Sequence, residues 1–198
     1  MAPSPVDLSR RAALKTLGAS FGAATVWPYL SDEAAAAFAA RQASPAPAPL
    51  VFLTPAQHTA VDAMAETILP ADDHSPGARA ARVADYVDLL LSESPPETQQ
   101  AWVAGLAALD TSVRARFKRP FAELTTAQAT QVLTELARNE TQPTTPLEVF
   151  FRDTKEATIR GYYTSEIGIH RELTYKGNQA LAEFVGCTHP EHGYTGKG

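Results

Sequence analysis

A single cysteine, Cys187, stands in a chain of 198 residues. One thiol excludes an intrachain disulfide framework, a CxxCH haem attachment and any cysteine-held iron–sulfur cluster. Other absences narrow the chemistry further. No GxGxxG follows a strand pattern, no GxxxxGK[ST] loop is present to cradle phosphate, and there is no GxSxG nucleophile elbow, so nothing marks a cofactor or acyl-transfer site in this chain. Basic residues are scarce: 17 Lys and Arg against 22 Asp and Glu give a net charge of -5. Without a basic stripe there is no surface to neutralise phosphates, which excludes nucleic acid as a partner. No run reaches the roughly 20 strongly apolar residues of a membrane-spanning helix. Sustained period-two alternation and fixed-length repeats are also missing.

What is present is a series of helix starts, with 44% hydrophobic residues available for a core. Thr54, Pro55 and Gln57 form a capping box with a pre-set first turn, and Val61, Met64, Ala65 and Ile68 follow at helical spacing. After Pro70 and a short acidic loop, Ser75 and Pro76 repeat the signal. Val83, Tyr86, Val87 and Leu90 then form an apolar face, with Arg79, Arg82, Asp85 and Asp88 expected on a solvated one. Ser94 to Glu97 reads as another capping box, ahead of Trp102, Val103, Leu106 and Leu109. Thr125 and Gln128 cap a segment carrying Val132, Leu133 and Leu136, with Leu124 as staple. Thr145, Pro146 and Glu148 open a fifth segment with Phe150 and Phe151. The pattern predicts an all-α fold: a single small helical domain of about five helices over residues 51–160, with Leu106 and Ile68 in its core.

The ends read differently. Residues 1–37 have the order of a targeting segment: Ser9, Arg10, Arg11, Leu14 and Lys15 fit the twin-arginine export pattern, and a weakly apolar Ala- and Gly-rich run follows. Cleavage is expected near 34–40. Residues 38–50 read as a linker, in which RQASPAPAP (41–49) alternates Ala with Pro and predicts an extended chain. Residues 161–198 lose the helical periodicity and predict an irregular tail that needs a partner surface. The predicted location is therefore periplasmic, reached as a folded protein through the twin-arginine translocase.

Several constellations could carry chemistry. Asp72, Asp73 and His74 lie together in the acidic loop, but a calcium loop needs six to eight oxygen ligands and a D-x-D-x-D-G spacing. A solvated turn is the expectation there. Cys187, His189 and His192 are three soft ligands, and closing a tetrahedral zinc site would need Glu191, His170 or another chain. A lone cysteine in an exported chain is either buried as a small hydrophobe or bonded to another molecule, and its place in an irregular polar tail favours the bond. Tyr162, Tyr163, Ile167 and Tyr175, with His189 and Tyr194 further on, could line a partner interface, while core packing against Phe150 and Phe151 is the alternative for the tyrosines.

The segment ILPADDHSPGA (68–78), supported by RGYYTSEIG (160–168) and the twin-arginine signal, resembles subunit 3 of the gluconate 2-dehydrogenase family. That resemblance implies a non-catalytic small subunit of a membrane-associated, FAD-dependent sugar or sugar-acid dehydrogenase. It implies that FAD sits in a large GMC-type catalytic partner and leaves open a further cytochrome c subunit with c-type haem; the irregular tail is expected to wrap that catalytic partner, with Cys187 bonded to it. No catalytic residues come with it. The rival reading from another class is a stand-alone periplasmic helical protein that binds a metal or ligand.

Overall fold

The computed structural model describes residues 30–177, and within them every regular element is a helix. Seven α-helices form: α1 (Asp32–Ala43), α2 (Pro55–Ile68), α3 (Gly77–Ala80), α4 (Val83–Ser92), α5 (Pro96–Phe117), α6 (Thr126–Ala137) and α7 (Pro146–Tyr163). A 3-10 turn (Phe121–Glu123) precedes α6, and a π-helical turn (Gly168–Glu172) follows α7.

Three of the predicted caps form as the sequence implies. Thr54, Thr125 and Thr145 each accept from the backbone N–H three residues on, and Gln57, Gln128 and Glu148 reach back in reciprocal boxes. At the third of these the Glu148 carboxylate accepts from the backbone N–H of Thr144 and Thr145 and from the Asn139 and Thr144 side chains. These bonds lower its pKa to about 2, with the Thr144 N–H as the largest cause. A carboxyl-detected NMR titration should therefore show Glu148 ionised well below the ordinary glutamate range, and a midpoint near 4.5 would contradict this cap geometry.

Two starts differ from the expectation. At Ser94 no capping box forms: its hydroxyl donates to the Leu90 carbonyl, and α5 begins after Pro95 with no side-chain cap. The segment opened by Ser75 and Pro76 is also not one helix. It breaks at Arg82, whose left-handed backbone (φ 56°) separates α3 from α4. That conformation is unfavourable for a residue that carries a Cβ, and the arginine side chain offsets the cost by donating to the carbonyls of Arg41, Ser44 and Ala46.

The core is organised around α4. Val83 to Leu91 are all buried, so this helix is enclosed on every side. It packs on α1, α2, α5 and α7, while α6 closes the far side against α2 and α7. Leu106 is buried as expected, but Ile68 is only partly so; Val103, placed on the apolar stripe of α5, is exposed instead. Between α5 and α7 the helices approach at Gly105, beside an edge-to-face contact of Trp102 and Phe150 at 5.5 Å.

At both ends the regular structure reaches beyond the predicted domain. Residues 32–43, where a signal end and a linker were expected, form α1, capped by Ser31 and seated on the core through Ala34 and Phe38. Only from Ser44 does the Ala/Pro stretch run extended. The tail expected from 161 starts later, because α7 continues to Tyr163. No helix among the described residues is long and apolar enough to cross a membrane.

Candidate functional site

Two places in the fold concentrate polar chemistry, and the sequence reading found one of them. The first is the loop between α2 and α3. Pro70 ends α2, and the Asp72 carboxylate accepts from the backbone N–H of His74 and Ser75 at 2.8 and 2.7 Å. Those bonds lower its pKa, the His74 N–H most of all. Glu66 spans the loop from α2, accepting from the N–H of Ala71 and Arg79. Gly77 has φ +84°, and a Cβ there would meet the Ala71 nitrogen at 2.7 Å, so glycine is required at this closure.

The loop is fastened to the end of α7. Ser75 Oγ bonds the Tyr162 hydroxyl, and Tyr162 is buried. Burial pushes the Tyr162 hydroxyl up from the ordinary tyrosine value; the Ser75 bond opposes this, and the nearby charges of Glu172 and Asp72 add to it. Beyond it, the Ser165 hydroxyl donates to the Tyr162 carbonyl and accepts from the Gly168 N–H. A Cβ at Gly168 would lie 2.1 Å from that same carbonyl oxygen. The segments 68–78 and 160–168 thus meet in the fold through Ser75 and Tyr162. Asp72, Asp73, His74, Tyr163, Leu173 and Tyr175 are exposed on these segments and just beyond them.

The tyrosines divide accordingly. Tyr162 belongs to the core, which corrects its place among the interface residues, and Ile167 is half-buried against that core. Tyr163 and Tyr175 remain exposed. Cys187, His189, His192, Glu191 and Tyr194 lie outside the described residues, as do Ser9, Arg10, Arg11, Leu14 and Lys15.

The second place corrects the solvated face assigned to α4. Asp88 is fully buried. Its carboxylate accepts from the backbone N–H of Val51, Phe52 and Leu53 at 2.8–2.9 Å and pairs with Arg41 at 3.2 Å. Asp85, also buried, meets His58 Nε2 at 2.9 Å and Arg82 Nε at 2.5 Å. Burial alone would raise the Asp85 pKa, but His58 and Arg82 outweigh it and the net shift is downward. These two acids are structural. They tie α1, the segment before α2, and α2 itself to the central helix.

Among the described residues no group of three or more His, Cys, Asp or Glu side chains is placed to hold a metal ion. An apolar depression formed by Phe52, Val103, Ala104 and Ala107 is an open groove. The exposed Asp72, Asp73, His74, Tyr163 and Tyr175 make this a helical module with polar and aromatic side chains on its surface. The chain belongs to the gluconate 2-dehydrogenase subunit 3 family, whose model matches residues 55–179. The family's name makes its members one component of a multi-subunit dehydrogenase. No curated protein and no solved structure matches the chain.

Proposed function

We propose that this chain is the non-catalytic small subunit of a periplasmic, membrane-associated FAD-dependent sugar or sugar-acid dehydrogenase. Its work is to fold with the large GMC-type catalytic subunit and to carry that subunit out through the twin-arginine route. FAD belongs to the catalytic partner, and a cytochrome c subunit with c-type haem is the proposed electron acceptor. The observation that carries this reading is a family match over nearly all of the helical domain in a chain that also bears SRRAALK at 9–15. A flavin inserted in the cytoplasm has to cross the membrane inside a folded protein, and one signal can serve two chains only if they fold together first. Tyr163, Tyr175 and the 72–74 loop are the proposed contact surface, and Cys187 is the proposed site of a disulfide to the catalytic subunit.

The double substitution Arg10→Lys, Arg11→Lys tests this directly. Both this chain and the dehydrogenase activity are expected to remain in the cytoplasmic fraction. Activity that is still periplasmic would show that the partner does not travel with this chain.

A further inference from the structure

Helices at a protein surface carry charge on the side that meets water, and α5 departs from this over its middle turns. From Thr98 to Leu109 the helix has no charged residue. Its inner side is accounted for by Trp102, Leu106, Leu109 and Val113, all of which are buried in the core. Its outer side is a seam at alternating three- and four-residue spacing, made of Glu97, Gln100, Ala104, Ala107, Thr111 and Arg114, and every one of these is exposed. Val103 stands beside the seam at 41% exposure, and with Phe52, Ala104 and Ala107 it forms the open apolar groove. The spacing is that of a helix-to-helix contact, and the described residues leave it uncovered.

We propose that a second copy of this chain lies on the groove, with the two α5 helices antiparallel about a two-fold axis that passes between Gly105 and Leu106. Charge decides both the occupant and its direction. The seam is acidic at its start, uncharged in the middle and basic at its end, so an antiparallel copy sets Glu97 of each chain opposite Arg114 of the other. Gln100 then faces Thr111 and Ala104 faces Ala107, so each layer of the seam is completed by the seam itself. A parallel copy would bring Glu97 against Glu97 and Arg114 against Arg114, which is repulsive. Arg114 already holds Asp110 at 2.6 Å, and its guanidinium has donors left for a second carboxylate. Alanine in the central layers lets the helix axes approach to about 8 Å, which brings Val103 against the second copy's Ala108 and closes the groove.

Light scattering and sedimentation of the full-length chain over a concentration series are the first test, and a mass of twice the single chain is expected. Ala104→Glu puts a carboxylate from each copy into the centre of the seam. It should raise the dissociation constant about a hundredfold or more, and should keep the helical circular dichroism of the wild type because the position is exposed. Ala127→Glu, at an exposed alanine of α6, should leave the dimer unchanged. The register is tested in chains that carry Cys187→Ser, by oxidising Gln100→Cys and Thr111→Cys variants separately and mixed. The mixture should cross-link and neither variant alone should, since like positions lie about 16 Å apart along the pair. A single-chain mass at every concentration overturns the proposal, whether the ends of the chain or a catalytic partner then cover the groove. Ala104→Glu that dimerises as the wild type does overturns it as well, and cross-linking of either variant alone in place of the mixture overturns the antiparallel pairing.

Discussion

Asp88→Ala is expected to destabilise the domain by about 3–5 kcal/mol, the range for removing one partner of a buried ion pair. The substitution leaves the Arg41 guanidinium, itself buried, facing an empty carboxylate position. It also strips the acceptor from the N–H groups of Val51, Phe52 and Leu53, the turn that aims the chain into the Thr54 cap. Asp88→Asn keeps the volume and one acceptor and should lose less. The comparison is Arg114→Ala, which removes an exposed pair with Asp110 and should change stability by no more than about 0.5 kcal/mol. Chemical denaturation with an unchanged denaturant slope measures both, and equal effects for Asp88→Ala and Arg114→Ala would show that the buried network contributes nothing special. Acid should expose the neighbouring member. Because folding depresses the Asp85 pKa, its stabilisation is complete above the ordinary aspartate value and fades as the pH falls through and below that value.

Where α5 crosses α7, two substitutions that are each harmful should partly cancel. A Cβ on Gly105 would lie 2.3 Å from the Phe150 ring, so Gly105→Ala forces a well-packed aromatic to move and should cost about 1–3 kcal/mol. Phe150→Ala removes a ring that is 4% exposed and opens a cavity beside Trp102, which should cost about 3–5 kcal/mol. In the double variant the new methyl enters the space the ring has vacated. The double loss should therefore fall short of the two single losses added together, and strict additivity would mean that the glycine is not set by this ring.

Helix starts written as local side-chain grammar were the legible part of this fold. Thr54, Thr125 and Thr145 each sit three residues before a Gln or Glu, and the box depends on nothing further away. Ser94 has the same spelling, yet its hydroxyl is drawn to the Leu90 carbonyl of the preceding helix, a competition that only the folded arrangement decides. Ser31, Asp32 and Glu33 spell a start as well. They fall inside the stretch that the twin-arginine pattern marks as a targeting segment, because an alanine run serves a short helix and a processing site equally well. The misplacement of Asp85 and Asp88 had a physical warning in the sequence. VADYVDLLL is apolar on too many sides to lie on a surface, and acids within such a helix have to be paired. Apart from Arg82, three residues before Asp85, their partners, Arg41, His58 and the 51–53 backbone, come from segments 27 to 47 residues away and carry no local mark. Of the candidate surface, the two motifs were visible from their composition, whereas their meeting through Ser75 and Tyr162, 87 residues apart, was not.

Apart from the Pro49 carbonyl, which accepts from Arg41, the partners that hold α1 lie late relative to it: Arg82 is 41 residues from the Arg41 carbonyl it binds, Asp88 is 47 from Arg41, and Glu93 is 62 from Ser31. On a growing chain α1 therefore leaves the ribosome with nothing to dock on. At about 5–20 residues per second, the residues between the end of α1 and Glu93 take roughly 3 to 10 s to be made. During that interval α1 is unanchored, and this helix becomes fixed relative to the domain only after α4 has been synthesised and folded. The seating of α1 thus acts as a clock on synthesis, marking the moment at which the centre of the domain exists.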